Sequence, residues 1–215
     1  MKEHTIRVFL ADDHTVVRQA LAEMIDKEPD FVIVGQCGDG LKVTRQVLAA
    51  KPDVLVLDIS MPGLNGLDIC REVTRKLRKL AVLMLSMHDD EEFVARSLEN
   101  GASGYLMKEA DNDQLVDALQ TVARGELYLA PGISRNVLHR LGRNAEDPYE
   151  SLTLRERQVL QLIAEGKTNR DAAKDLGLAV KTVDTHRTRL MRKLDIHDQT
   201  ALVKYALRRG IVQLG

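Results

Sequence analysis

The sequence predicts two domains of different class. An open, doubly wound parallel α/β sheet is expected over residues 1–125. An all-α, four-helix domain with helix-turn-helix geometry is expected over 151–215, after a linker at 126–150 that holds a short helix. Three observations carry this. Five short, β-branched apolar runs alternate with stretches of helical period in the first part. Beyond residue 151 the strand pattern stops and helix-capping sequences recur. The charge also changes sign: residues 1–150 hold 18 Lys and Arg against 25 Asp and Glu, a net −7, whereas 151–215 hold 13 against 7, a net +6.

The strand-like runs are Ile6–Ala11, Phe31–Gln36, Val54–Asp58, Ala81–Ser86 and Gly104–Met107. The third and fourth are apolar throughout, as strands covered on both faces must be. Between the runs stand helical stripes: Ala20, Leu21, Met24 and Ile25; then Val43, Val47 and Leu48; then Ile69 and Val73; then Phe93, Val94 and Leu98. Leu115, Leu119 and Val122 follow the fifth run. Turn residues separate the elements at Lys51-Pro52-Asp53, Pro62-Gly63 and Asn100-Gly101. Arg135–Leu141 is read as the linker's short helix, and the polar stretch Gly142–Glu150 as its connecting part.

In the C-terminal part, Thr153-Leu154-Arg155-Glu156 has the pattern of a capping box, with the helix ending near Glu165 before Gly166. Thr168 opens a second helix that Gly177 ends. A third runs from about Val180 to Leu194. Asp198 caps a fourth, which stops at Gly210.

Composition narrows the classes of function. Hydrophobic residues at 44% and charged residues at 29% describe an ordinary globular chain. No apolar run approaches the roughly 18 residues of a membrane span, and Met1–Arg7 lacks the apolar core of a secretory signal. Two cysteines, Cys37 and Cys70, neither form a disulfide framework nor have metal-ligand spacing, which fits a cytoplasmic protein. With no Trp and 3% aromatics, base stacking on aromatic platforms is a poor mechanism, while groove reading of duplex DNA suits the basic C-terminal part.

Open α/β sheets bind ligands beyond the carboxyl ends of their strands. At those ends stand Asp12 and Asp13, Asp58, Ser86 and Lys108, with Tyr105 inside the fifth run. Three converging carboxylates repel unless a cation joins them, and hard oxygen donors suit Mg²⁺. An aspartate is also a competent nucleophile toward phosphorus. A cap or turn would explain any one of these acids but not the five polar residues on one rim. A metal-dependent aspartyl phosphatase would use the same chemistry. Its paired aspartates are spaced Asp-x-Asp, however, whereas Asp12-Asp13 are adjacent. No Walker loop is present, and Gly38-Asp39-Gly40 lacks the third glycine of a dinucleotide fingerprint.

Leu10-Ala11-Asp12-Asp13-His14, Val56-Leu57-Asp58-Ile59-Ser60-Met61-Pro62-Gly63, Ser86 and Gly104-Tyr105-Leu106-Met107-Lys108 resemble a bacterial two-component receiver domain. The resemblance implies a flavodoxin-like (βα)5 fold with phosphorylation of Asp58 by a sensor histidine kinase. It implies Mg²⁺ held by Asp12, Asp13, Asp58 and the carbonyl of Ser60. Ser86 and Tyr105 would be the switch pair and Lys108 the phosphate-binding lysine. Glu109 departs from the pattern, since many receivers have proline there.

On a wheel of the third C-terminal helix, Val183, Leu190 and Leu194 form a buried seam. Lys181, Asp184, Thr185, Thr188 and Arg192 face away from it, with Arg189 at the edge. Such a face fits a major groove; it also fits a solvated helix surface. The runs Leu152–Arg157, Ile163–Asn169 and Lys181–His186, with Lys193-Leu194, are similar to the LuxR-type module. A receiver joined to that module defines the NarL/FixJ family of response regulators. The resemblance implies DNA contacts from Lys181, Thr182, Asp184, Thr185, Thr188, Arg189, Arg192 and Lys193. It also implies a dimerisation helix carrying Ala201, Leu202 and Tyr205, although core packing explains the same three residues. Ala179 stands where the family often has a serine N-cap. Asp184 puts a carboxylate on the DNA side.

The expectation is therefore a non-enzymatic transcription regulator, with at most intrinsic autophosphorylation and autodephosphorylation. Its partners would be a sensor histidine kinase, a palindromic duplex operator and a second copy of itself, with RNA polymerase a further candidate and no membrane. A receiver acting only through protein partners is the alternative that Asp184 and Ala179 keep open.

Overall fold

The computed structural model describes residues 5–87, 89–133, 137–138 and 147–212. The chain divides into two compact units.

The first unit has five βα repeats. β1 (Ile6–Ala11), β2 (Phe31–Cys37), β3 (Val54–Asp58), β4 (Ala81–Ser86) and β5 (Gly104–Met107) alternate with α1 (Thr15–Asp26), α2 (Gly40–Ala50), α3 (Gly66–Lys76), α4 (Glu91–Glu99) and α5 (Asn112–Ala123). All strands are parallel, in the order β2-β1-β3-β4-β5, and a short β6 (Tyr128–Leu129) adds to the β5 edge. The sequence reading has five strands and ends this domain at 125. Two residues are too few to display a period, which is why β6 escapes it, and the sheet reaches Leu129. The expected helix at Arg135–Leu141 lies mostly outside the described residues.

Alternation along the strands divides the core. Val8, Leu10, Val54, Val56, Leu83, Leu85 and Leu106 face Ala22 and Ile25 of α1 and Leu115, Ala118, Leu119 and Val122 of α5. The intervening Phe9, Leu55, Leu57, Val82 and Met84 are equally buried, as strands covered on both sides require. β1 slips register against β2 after Val8, so Phe9 lies opposite Gly35. A Cβ at residue 35 would come within 2.5 Å of the Phe9 ring, so only glycine fits.

The second unit contains α6 (Leu154–Ala164), α7 (Asn169–Leu176), α8 (Val180–Lys193) and α9 (Gln199–Arg208). The expected capping box is formed: the Thr153 hydroxyl accepts from the Glu156 amide, and the Glu156 carboxylate accepts from Thr153 N–H. Thr168 and Asp171 repeat the device at α7. Gly166 (φ 85°) and Gly177 (φ 64°) take the left-handed conformation after α6 and α7. Asp198 caps α9 through the Ala201 amide. At the N-cap of α8, Ala179 supplies no side-chain hydrogen bond. Val159, Leu160, Ile163, Ala172, Val183, Leu190 and Leu202 form the shared core. A 3-10 turn, Pro148–Ser151, precedes α6, and the guanidiniums of Arg157 and Arg209 stack on its Tyr149 ring, 4.4 and 4.1 Å from the ring centre.

Candidate functional sites

Parallel register builds the acidic rim. Ala11 pairs with Leu57, so the next residues, Asp12 and Asp58, leave neighbouring strand ends side by side. Asp58 lies opposite Leu85, and Ser86 opposite Met107, which places Ser86 and Lys108 on the same rim. The Lys108 amide donates to the Ser86 carbonyl at 2.9 Å. No peptide bond among the described residues is cis, so the Lys108–Glu109 bond is trans.

The Lys108 ammonium stands 2.8 Å from Asp12 Oδ2 and 2.9 Å from Asp58 Oδ2, with all three groups buried. Burial pushes the Asp58 carboxyl above the ordinary carboxylate range. Lys108 and the Ser60 amide pull it down, but desolvation together with the Asp12 charge prevails. Burial alone would lower the Lys108 ammonium; the hydrogen bond and charge of Asp12 and Asp58 outweigh it and raise the group. Tyr105 is fully buried, and its hydroxyl shares a hydrogen bond with Ser86. Burial, with the nearby acids, raises that phenol to about 12.

Asp12, Asp13, Asp58 and His14 each offer a ligand atom, all within 4.8 Å of one another. Asp12 Oδ2 and Asp58 Oδ2 have no hydrogen-bonding partner besides the Lys108 ammonium, so lone pairs remain for a cation. Three carboxylates and one ammonium leave two negative charges, which fits a divalent ion. His14 is the member that sequence reading leaves without a role. It is the N-cap of α1, its amide donates to Asp12 Oδ1 at 2.7 Å, and its Nδ1 lies 2.9 Å from Asp13. Its adjacency to the Asp12-Asp13 pair is the only signal the sequence holds. Ser60 reaches Asp58 through its backbone amide.

On α8, Lys181, Thr182, Asp184, Thr185, Thr188, Arg189 and Arg192 are exposed, while Val183 and Leu190 are buried. Thr185 and Thr188 donate back to the carbonyls of Lys181 and Asp184. Lys193 is exposed as well, but its ammonium is paired within its own domain, 2.6 Å from Glu156 Oε2 and 2.9 Å from the Ser151 carbonyl. The Glu156 carboxyl is accordingly held below the usual range: burial raises it, and the Lys193 and Thr153 hydrogen bonds overcome that. Leu202 departs from the expectation. It is wholly buried in the helical core, and only Ala201 and Tyr205 of the expected dimer set retain partial exposure.

A doubly wound sheet with this rim, joined to a helix-turn-helix unit, defines a two-component response regulator that regulates transcription. Residues 8–120 match the response regulator receiver domain, and 150–206 match the bacterial regulatory proteins of the luxR family. The chain is similar to the oxygen regulatory protein NreC of Staphylococcus carnosus, 35% identical over 96% of this chain and 99% of that one. It is likewise similar to the transcriptional regulatory protein LiaR of Bacillus subtilis, 37% identical over the same shares. Among solved structures, the response regulator ChrA of a heme-sensing two-component system aligns with a TM-score of 0.52. It is 32% identical, over 97% of this chain and 99% of that one. The chain belongs to the NarL/FixJ-type response regulators, with a receiver domain and a LuxR-type DNA-binding domain. No described helix is long and apolar enough to cross a membrane.

Proposed function

We propose that this regulator works as a phosphorylation-controlled switch in the cytoplasm. A sensor histidine kinase phosphorylates Asp58, and the protein then binds a palindromic duplex operator as a dimer through α8. The observation that carries the reading is the buried Asp12–Lys108–Asp58 arrangement at the strand ends. An Asp58 oxygen bonds to phosphorus as the bond to the donor histidine's nitrogen breaks, and that nitrogen leaves with a proton. Lys108, already beside the carboxylate, meets the charge gathering on the phosphoryl oxygens. Asp12, Asp13, Asp58 and the Ser60 carbonyl would hold Mg²⁺, which supplies charge neutralisation when bound. Ser86 bonds the new phosphoryl group, an exchange that frees the Tyr105 hydroxyl from its present partner. The same rim supports intrinsic autophosphorylation and autodephosphorylation. Exposed Lys181, Arg189 and Arg192 supply the cationic contacts to DNA. A single short helix reads few base pairs, which is the reason a palindrome and a dimer are expected. The outward parts of Ala201 and Tyr205 are the dimer candidates on α9. RNA polymerase would be met at the promoter.

Selection of bound duplexes from a random library, with and without beryllofluoride and Mg²⁺, tests the whole reading. A palindrome enriched only with beryllofluoride is the expected result. Equal enrichment in both conditions would remove the rim as the switch.

A further inference from the structure

This inference rests on the DNA-binding reading and concerns the one carboxylate on the exposed face of α8. Asp184 Oδ1 accepts a hydrogen bond from Asn169 Nδ2, at the first turn of α7. The amide of Asn169 is itself oriented, because its Oδ1 accepts from Arg187 Nη1 at 3.2 Å. Arg187 in turn donates through Nη2 to Gln199 Oε1 of α9 at 3.1 Å. Three helices thus hold one aspartate, with its Oδ1 engaged and the residue exposed.

Asp184 is the one charged acceptor on this face. Lys181, Arg189 and Arg192 only donate, while Thr185 and Thr188, whose protons go to helix carbonyls, offer only neutral hydroxyl oxygens as acceptors. A carboxylate entering a major groove is repelled by phosphate unless it meets a donor, and the groove's donors are the amino groups of cytosine and adenine. Adenine sets its N7 acceptor beside that amino group, which repels the carboxylate; cytosine sets a C–H there. We infer that Asp184 is a specificity-determining residue that reads a cytosine amino group in each half-site, and that Asn169 is the positioning residue for it.

The test repeats duplex selection with the full chain, beryllofluoride and Mg²⁺, for the wild type, Asp184→Asn, Asp184→Ala and Asn169→Ala. The wild type should enrich cytosine at one position of each half-site, about tenfold or more over other bases. Asp184→Asn should move that position toward adenine, which an amide can bond bidentately. Asp184→Ala should erase the preference there alone, and Asn169→Ala should broaden it while other positions hold. If the variants keep every base preference and simply bind all duplexes more tightly, the carboxylate is only a repelling charge and the inference fails. If the wild type enriches no duplex, the DNA-binding reading fails with it, a distinct result.

Discussion

Asp58 carries a charge in a place that disfavours it, and this has a measurable sign. Its carboxyl is raised above the usual range even with the attraction of Lys108 included. A carboxyl raised on folding stabilises the fold below its unfolded pKa, and that contribution is lost as pH rises through the folded pKa. Asp58→Asn should therefore melt at a higher temperature than the wild type at neutral pH. The gap should close as pH falls below the ordinary carboxylate range. Thermal melts across that interval check it, and a variant less stable at neutral pH would mean that the Lys108 pairing outweighs the desolvation. The same variant should take up no phosphoryl group from a small phosphodonor, read by intact mass. Asp12, Asp58 and Lys108 were legible in the sequence because each directly follows or ends a strand-like run. The pairing of Lys193 with Glu156 was not, since a helical wheel places a Cβ and says nothing about where a long flexible stem carries its charge.

Two elements depend on single positions. At Gly66, the first residue of α3, a Cβ would fall 2.1 Å from the Asp58 carbonyl oxygen, while the Gly66 amide donates to the Ile59 carbonyl. The obstacle is backbone, so relief must displace the strand end that presents Asp58. Gly66→Ala should cost at least about 1–3 kcal/mol in denaturant unfolding and slow phosphorylation of Asp58 as well. Normal phosphorylation in a stably folded variant would contradict the close approach. At α8, Ala179 has extended backbone suited to an N-cap but no acceptor to offer the exposed amides. Ala179→Ser should stabilise the protein by about 0.5–2 kcal/mol through a bond to the first-turn N–H groups, measured by the same denaturation. Element ends in the C-terminal unit were readable because caps are local chemistry, as Thr153-Leu154-Arg155-Glu156 and Gly177 illustrate. β6 was hidden because its pairing with β5 is a long-range fact with no local period.

Across the whole chain, the sign change in charge fits a polyanionic partner for the C-terminal part. The C-terminal stretch 151–215 has a net charge of +6, yet some of its cations are already paired within the domain. Arg192 and Lys193 are both exposed, and the Lys193 ammonium is held by the Glu156 carboxylate and the Ser151 carbonyl. Neighbours in sequence thus have separable duties, and salt dependence separates them. Each phosphate contact contributes about 0.9 to the slope of log affinity against log salt for duplex DNA. Arg192→Ala should weaken binding of all duplexes and reduce that slope by about one. Lys193→Ala should leave the slope unchanged and act on stability instead, because it removes the partner that keeps the Glu156 carboxyl low. A carboxyl lowered on folding stabilises above its unfolded pKa, and that contribution is lost as pH falls through the folded value. The Lys193→Ala deficit should accordingly be full at neutral pH and shrink in acid. Binding titrations from low to high salt, paired with melts at both pH values, decide between the two duties. An equal loss of slope in both variants would return Lys193 to the DNA face that the sequence alone assigns it.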